Sequence, residues 1–184
     1  MKRFIVSACI LACAAILPAQ APKPKKPPLS PPAQASVTVN GKTITIDYSS
    51  PRVRGREGKI FTKDGLISHD PHYPVWRAGA NAATTLHTDA DLTIGDLSVP
   101  AGTYTLFIDI SNPDQWVLIV SKATGEWGLA YDPTKDLGRT NMRMGKPKAM
   151  VEDLAWTLTS REPGHVRMTI EWEDMRASVP VTVQ

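Results

Sequence analysis

The sequence predicts an all-β protein: a two-sheet antiparallel β-sandwich with jelly-roll-like or immunoglobulin-like packing. From Ser36 onward, apolar and polar residues alternate with a period of two in many short runs. Turn residues separate these runs at regular spacing, which indicates about eight to ten strands. No run after residue 36 has the length and period of a long amphipathic helix, so we expect few or no helices there.

The first strands are predicted to form hairpins. Alternating runs flank Asn40-Gly41, a dipeptide typical of a two-residue hairpin turn. Gly95-Asp96 has the same position between two shorter apolar runs and predicts a second hairpin. The run 104–110 keeps its apolar residues on one face, whereas 116–120 is apolar on both faces, which indicates an interior strand.

The C-terminal part continues this pattern. The runs 154–158 and 166–172 alternate on either side of Glu162-Pro163-Gly164, which predicts a turn, and 179–183 is the last strand. Two stretches rich in Gly and Pro, 51–83 and 123–147, interrupt the strands. Loops of this length are uncommon in compact domains and are often functional.

The N-terminal residues 1–21 predict a secretory signal peptide. A basic start, Met1-Lys2-Arg3, precedes an apolar run and the small-residue cleavage sequence Ala19-Gln20-Ala21. The apolar run is shorter than the roughly 20 residues that span a bilayer, so we expect no membrane span and an exported protein, periplasmic or extracellular. Lipoprotein anchoring at Cys13 is the alternative, but the residues that follow Cys13 stay apolar, which favours cleavage after Ala21.

Residues 22–35 are predicted to be a Pro/Lys-rich linker, and 36–184 a single β-sandwich domain. Six prolines in the linker favour an extended polyproline II conformation (Pro22, Pro24, Pro27, Pro28, Pro31, Pro32). Both cysteines lie in the predicted signal peptide, so the domain is expected to contain no disulfide and no thiol chemistry.

The charge distribution argues against nucleic acid as a partner. Five of the 21 basic residues precede Ser36, which leaves 16 basic against 18 acidic residues in the domain. A net charge of −2 provides no basic field for a phosphate backbone. His69-x-x-His72 with Asp70 is a weak metal pattern, because zinc sites need three or four ligands. We therefore expect no metal and no cofactor.

The segment Val75-Trp76-Arg77-Ala78-Gly79-Ala80-Asn81-Ala82-Ala83-Thr84 is the strongest candidate for a site. Trp and Arg are enriched at binding hot spots. The Arg77 guanidinium can bind a carboxylate, a phosphate or a pair of sugar hydroxyls, and the Asn81 amide supplies both a donor and an acceptor. Trp76 would form an apolar wall. In the structural alternative, Arg77 pairs with a carboxylate, with Asp136 or Glu152 as the natural partner, and only holds a loop in place.

A second candidate is the cluster Arg52, Arg54 and Arg56. On a strand, this spacing would place all three guanidiniums on one face, which suits an anionic ligand. The alternative is a charged sheet edge that prevents aggregation.

Several motifs, taken together, resemble a known family. Ser50-Pro51-x-x-Arg54-Gly55-Arg56, VWRAGANAAT (75–84) and VPAGTYTLF (99–107) occur in this order. They are followed by Trp116, Trp127-Gly128 with Tyr131, Asp136 and Arg139, and Ile170-Glu171-Trp172. The combination, which spans 37–183, resembles the domain of unknown function 2911 family of exported bacterial proteins. The resemblance implies a secreted or periplasmic β-rich domain and no particular activity.

The chain departs from that family at two places. His72-Tyr73-Pro74 replaces an expected glycine-containing segment such as Pro-Tyr-Gly, and Ala82 stands where an acidic residue often follows the asparagine. If that acid takes part in chemistry in the family, this member would be impaired.

These observations favour a non-catalytic module that binds a small polar or anionic ligand, or an envelope component. One alternative is a hydrolase-type enzyme that uses Arg77 as electrophile with Asp136 or Glu152 as base. Another is a purely structural envelope protein. The sequence leaves the oligomeric state open. The candidate ligand-binding residues are Trp76, Arg77, Asn81, Thr84, Arg54, Arg56, Asp136, Arg139 and Glu152.

Overall fold

The computed structural model describes residues 28–184, which fold into two antiparallel sheets packed face to face. The predicted class, an all-β sandwich, is confirmed. The predicted signal peptide and the linker before residue 28 lie outside the described residues. The strands are β1 (Pro32–Val39), β2 (Lys42–Ser49), β3 (Val75–Trp76), β4 (Thr84–Thr88), β5 (Leu92–Ile94), β6 (Leu97–Val99), β7 (Gly102–Asp109), β8 (Val117–Ser121), β9 (Asp136–Asn141), β10 (Arg143–Gly145), β11 (Val151–Glu162), β12 (His165–Glu173) and β13 (Met175–Val183).

The first sheet has seven strands in the order β1-β2-β4-β7-β8-β9, with the short β3 paired to β7. The second has six strands in the order β11-β12-β13-β5-β6, with β10 paired to β13. The chain therefore enters the second sheet at the β5–β6 hairpin, returns to the first sheet, and completes the second sheet at its C-terminal end. As predicted, β8 is an interior strand, between β7 and β9.

The alternation predicted from the sequence determines which face of each strand is buried. On β12, the four apolar residues of one face are at most 3% exposed (Val166, Met168, Ile170, Trp172). They pack in a shared core with Ile44 and Ile46 of β2 and with Leu106 and Ile108 of β7. Full burial of an aliphatic side chain contributes roughly 1.5–3 kcal/mol, so this core is the main source of stability.

The predicted hairpin turns are present. Asn40 and Gly41 join β1 to β2 with positive φ angles of 52° and 75°, as a two-residue turn of this type requires. Gly95-Asp96 joins β5 to β6, and the Thr140 hydroxyl donates to Asp96 Oδ1 at 2.7 Å. That hydrogen bond connects the hairpin to β9 of the other sheet. Pro163-Gly164 joins β11 to β12.

Two predicted boundaries differ from the structure. The first strand begins at Pro32, inside the segment predicted to be linker; a proline is tolerated there because β1 is an edge strand. The stretch 123–147 is only partly a loop, since it includes β9 and β10. Gly138 indicated a loop but lies within β9, where a β-carbon would come 2.4 Å from Leu97 Cδ1. Close packing therefore requires glycine at this position.

Helical structure in residues 28–184 is restricted to two single 3-10 turns, Ile67–His69 and Pro133–Lys135. Neither has the length or apolar character of a membrane-crossing helix, and no other helix is present in the described range.

Candidate functional site

The arginine-rich segment 50–56 is attached to the edge strand β11. The Val53 amide donates to the Glu152 carbonyl at 2.8 Å, the Leu154 amide donates to Pro51, and the Ser50 hydroxyl donates to the Leu154 carbonyl. The chain then turns sharply, because Arg54 and Gly55 both have positive φ, at 52° and 69°. The prediction that the three arginines share one face of a strand is therefore wrong.

The turn nevertheless directs these arginines toward one region. Arg56 folds back and donates to the carbonyls of Val53 at 2.8 Å and Arg52 at 2.6 Å. The Arg54 guanidinium donates to the Leu29 carbonyl at 3.0 Å. These contacts hold the guanidiniums beside the 76–81 segment.

The 76–81 segment begins at β3, which pairs with β7 and buries Trp76. Ala78 and Asn81 have positive φ angles of 54° and 58°, so the chain turns twice within four residues. The Arg77 Nη2 atom lies 2.9 Å from Asp70 Oδ1, and both side chains are mostly buried, at 15% and 18% exposed. The sequence-based prediction that Asp136 or Glu152 pairs with Arg77 is therefore wrong, because Asp70 is the carboxylate that pairs with it.

Together these segments line a cleft of about 350 Å³, which we call the arginine cleft. This volume falls within the range of about 300–1,000 Å³ that small-molecule sites occupy. Both sheets contribute, through Trp76 of β3 and Trp172 of β12. The polar residues of its wall are Ser30, Arg52, Arg54, Arg56, Asp70, Arg77 and Asn81, and the largest apolar ones are Leu29, Leu66, Ile67, Trp76, Trp127, Leu129 and Trp172.

The cleft is positively charged. It contains four arginines and one carboxylate, Asp70, which already pairs with Arg77. Arg52 pairs with Asp153 at 2.7 Å. For Arg54 and Arg56, no carboxylate oxygen of residues 28–184 lies within 4.0 Å. These two guanidiniums therefore keep an unbalanced charge, and the N–H groups that do not donate to main-chain carbonyls, for an anion in a partly enclosed space, where charge attraction is stronger than at an open surface.

Two buried donors in the cleft wall have no acceptor within the described part of the chain. They are Arg77 Nε and the indole Nε1 of Trp172, which is only 2% exposed. A buried donor without a partner costs about 1–3 kcal/mol. Both belong to residues that line the cleft, although the two nitrogen atoms themselves are not exposed in it.

The rim of the cleft is apolar. Five large hydrophobic residues are exposed in the described range, and three of them border this cleft: Leu29, Leu66 and Trp127. Trp127 is 59% exposed. Exposed apolar groups concentrated around one opening indicate a binding surface rather than scattered surface residues.

The segment at residues 29–30 forms one side of the cleft and is held by main-chain contacts. Arg54 binds the Leu29 carbonyl, and the Asn81 amide donates to the Ser30 carbonyl at 3.2 Å. Part of the hydrogen-bonding capacity of Asn81 is therefore used to position this wall.

The second long loop packs directly on the first. Trp127 forms a β-bridge with Ala82, and Gly128 lies against the Arg77 side chain. A β-carbon at Gly128 would lie 2.7 Å from Arg77 Cδ and 2.7 Å from the Asn81 carbonyl oxygen. Only glycine permits this approach, which brings the Trp127 indole to the rim of the cleft.

Asp136 and Arg139 belong to a different cluster and do not line the cleft. Arg139 donates to Asp136 Oδ2 at 2.9 Å and to the Tyr131 hydroxyl at 2.6 Å, and Tyr131 donates to the same carboxylate oxygen. Burial, together with the Asp136 hydrogen bond, raises the pKa of Tyr131 to about 12. Burial alone would lower the pKa of Arg139, but the Asp136 hydrogen bond and the surrounding negative charges raise it.

This cluster has a structural explanation. The Tyr131 ring packs 4.8 Å from Phe107 on β7 and 5.8 Å from His72. The Thr105 hydroxyl also donates to the Ala123 carbonyl at 2.6 Å. The cluster therefore holds the 123–135 loop against the first sheet.

Two other predicted residues also lie outside the cleft. Thr84 is fully buried, and its hydroxyl donates to the Ala78 carbonyl at 3.2 Å. Glu152 accepts from the Arg54 amide at 3.1 Å and so helps position the arginine turn. Of the nine predicted residues, the cleft collects five: Trp76, Arg77, Asn81, Arg54 and Arg56.

The sequence did not predict Asp70, Trp127 or Trp172 as cleft residues. Trp127 could have been found, because a tryptophan in a polar, Gly-rich loop has no strand face on which to be buried. Trp172 fitted the core pattern of β12, and its unpartnered indole nitrogen is visible only in the structure. His69, Asp70 and His72 do not converge, and no metal-binding group of three or more suitable side chains occurs in residues 28–184.

Comparison with protein families gives one relevant match. A family model described as "Protein of unknown function (DUF2911)" matches residues 30–181, which is most of the chain. No curated protein and no solved structure matches the chain.

Proposed function

Since the chain belongs to the DUF2911 family, whose function is unknown, we propose from the cleft itself that it binds a small organic anion with an apolar portion. The observation that carries this proposal is the pair Arg54 and Arg56, which have no carboxylate partner among the described residues and line a partly enclosed cleft. A guanidinium presents a fork of N–H donors that matches a carboxylate, sulfonate or phosphate.

The buried donors support the same ligand class. Arg77 Nε and Trp172 Nε1 lack acceptors in the described range, and both belong to residues that line the cleft, so a ligand oxygen would pair with them if these side chains shift on binding. Arg77 itself is oriented by Asp70 and, more weakly, by the Asn81 carbonyl at 3.4 Å. In this proposal the Arg77 guanidinium forms part of the cleft wall, and Asp70 balances its charge.

The apolar rim specifies the rest of the ligand. A bare inorganic anion would leave the surfaces of Leu29, Leu66 and Trp127 in water. An aromatic or alkyl group beside the anionic group would cover them, at about 25 cal/mol for each Å² removed from water. An amphiphilic organic anion therefore fits the cleft better than a free phosphate.

Binding is favoured over the hydrolase alternative by the placement of the carboxylates. Asp136 and Glu152, the expected bases, are absent from the cleft wall, and Asp70 is already paired with Arg77. A general base must reach the proton that it removes, and neither Asp136 nor Glu152 is among the described residues that line the cleft.

Titration calorimetry with 1-naphthoate as the probe tests this proposal. We expect 1-naphthoate to bind more tightly than both neutral 1-naphthamide, which lacks the charge, and inorganic phosphate, which lacks the rings. The Arg54→Gln variant should weaken 1-naphthoate binding by about 10- to 100-fold, as expected for loss of a charge-assisted contact. A glutamine side chain is two bonds shorter and does not reach the Leu29 carbonyl, so Arg56→Gln, which leaves the Arg54–Leu29 contact intact, should weaken 1-naphthoate binding as well.

The matched control is Lys63→Gln, which removes an exposed cation from the same long loop but outside the cleft. It should bind 1-naphthoate as the unmodified protein does. Equal affinity for 1-naphthoate and 1-naphthamide would contradict the proposal, as would an Arg54→Gln variant with unchanged affinity.

The N-terminal sequence supports placing this function outside the cytoplasm. The basic start, the apolar run and Ala19-Gln20-Ala21 are the pattern of a cleaved export signal. Protein recovered from the cell envelope or the medium should therefore begin at Pro22 when its N-terminus is sequenced. An intact Met1 on cytoplasmic protein, or a lipid-modified Cys13, would contradict cleavage after Ala21.

A further inference from the structure

A second cationic site lies on the outer face of the second sheet, away from the residues of the arginine cleft. It is a depression of about 460 Å³, which we call the basic surface. Its charged members are Arg143, Lys146, Arg161, Arg167 and Arg176.

The strand register explains why these side chains meet. Ser178 on β13 lies directly opposite Arg143 on β10 and opposite Thr169 on β12. Arg176 precedes Ser178 by two residues and Arg167 precedes Thr169 by two, so both arginines project from the same face as these hydroxyl residues. Ser178 is 7% exposed and forms the floor between longer arginine side chains, with the buried Thr169 beside it on β12.

The arginines of the basic surface extend over four strands of the second sheet. Arg143, Arg176, Arg167 and Arg161 lie on β10, β13, β12 and β11, which are consecutive neighbours in the sheet. Three steps between strands span roughly 14 Å across the sheet at about 4.8 Å each, and the arginines are also staggered along the strands, because Arg176 lies opposite Glu171 and Arg167 lies opposite Pro180. A single small anion cannot contact all four strands.

Most of this charge is not balanced within the protein. Arg176 pairs with Glu171 at 3.4 Å, and Lys146 lies 3.8 Å from Asp174. Among the described residues, no carboxylate oxygen is within 4.0 Å of Arg143, Arg161 or Arg167. Like charges on neighbouring strands repel each other, so an external polyanion would stabilise this arrangement.

We propose that the basic surface binds an acidic polysaccharide, laid diagonally across β10–β13–β12–β11 with its carboxylates on the staggered arginines. The guanidiniums would bind the carboxylates through paired N–H donors. Hydroxyl groups on the same face, Ser178 at the floor and the exposed Thr157, suit the hydroxyls of a sugar chain.

Other polyanions match the surface less well. No aromatic side chain lines it, so bases of a nucleic acid would have no stacking platform. Within residues 28–184, the one large apolar residue that lines it is the half-buried Met144, so the described surface offers an anionic membrane no exposed group to insert between its lipids.

Calorimetric titration with galacturonate, its oligomers and polygalacturonate tests the proposal. Affinity should rise by at least about tenfold from the monomer to a pentamer, because more arginines are engaged. The Arg143→Gln/Arg167→Gln double variant should weaken pentamer binding by about tenfold or more. Arg167→Lys, which keeps the charge but loses the fork, should show an intermediate loss.

Lys122→Gln, an exposed cation at the end of β8, is the matched control and should bind the pentamer normally. Circular dichroism of every variant checks that the sheets are intact. The proposal is overturned if the pentamer binds no tighter than the monomer, or if the double variant binds like the unmodified protein. Equal affinity for duplex DNA or anionic phospholipid vesicles, with the same dependence on Arg143 and Arg167, would also overturn it.

Discussion

The Trp76→Ala variant is expected to lose about 3–5 kcal/mol of its free energy of unfolding, the usual cost of removing a buried tryptophan. Trp76 is 2% exposed and lies at the centre of an aromatic cluster. Its ring stacks on Trp172 at 6.0 Å and meets Phe61 edge-on at 5.7 Å. Because Trp172 belongs to the second sheet and Trp76 to the first, the substitution opens a cavity between the sheets.

Urea unfolding followed by circular dichroism measures this loss. Typical domains have only 5–15 kcal/mol of stability, so the midpoint should fall markedly. Trp127→Ala is the matched control: the same substitution at a tryptophan that is 59% exposed should change stability by less than about 1 kcal/mol. A Trp76→Ala variant as stable as Trp127→Ala would mean that the aromatic cluster does not join the sheets.

The second large effect is expected for Asp70→Ala, which should lower the free energy of unfolding by about 2–3 kcal/mol. The substitution leaves the Arg77 guanidinium without its carboxylate in a mostly buried position. The loss should be smaller than for a fully buried pair, because both side chains retain some contact with water. Removal of both partners should cost less than the sum of the single losses, and a double-mutant cycle measures the coupling.

Asp153→Ala provides the comparison. It also removes a carboxylate from an arginine pair, but Arg52 and Asp153 are about half exposed, and such pairs contribute about 1 kcal/mol or less. If Asp70→Ala is no more destabilising than Asp153→Ala, Asp70 does not hold Arg77. If Arg77→Ala unfolds the protein, the main role of Arg77 is structural, and binding must be assigned to Arg54 and Arg56 alone.

The candidate site was predictable in part. The residue types at Arg77 and Asn81 were sufficient to identify the 75–84 segment, because arginine, asparagine and glycine together fit neither a strand nor a plain turn. The spacing of Arg54 and Arg56 indicated that these two arginines cluster, but the expected cause, a shared face of one strand, is wrong. They converge through a turn with positive φ at Arg54, whereas a strand had been expected. Local sequence did not reveal that turn, because it depends on the contacts of segment 50–56 with β11.

The sequence did not indicate Asp70 or Trp172 as residues of the cleft. The partner of Arg77 is seven residues away in sequence, yet two distant carboxylates looked equally suitable, since ion pairing depends on position in space. Trp172 followed the core pattern, and only the structure reveals that its indole nitrogen has no acceptor among residues 28–184 while the residue borders the cleft. The basic surface was not predictable from the sequence for the same reason, because strand pairing brings together Arg143, Arg161, Arg167 and Arg176.

The sequence by itself determined the fold class, the main hairpins and the buried face of each long strand. These properties follow from the period of two and from local turn chemistry, which act within a few residues. The tertiary structure decided the strand order, the partner of Arg77 and the composition of both cationic sites. Those depend on contacts between segments far apart in the chain, such as the approach of Gly128 to Arg77, which only the packed sheets and loops create.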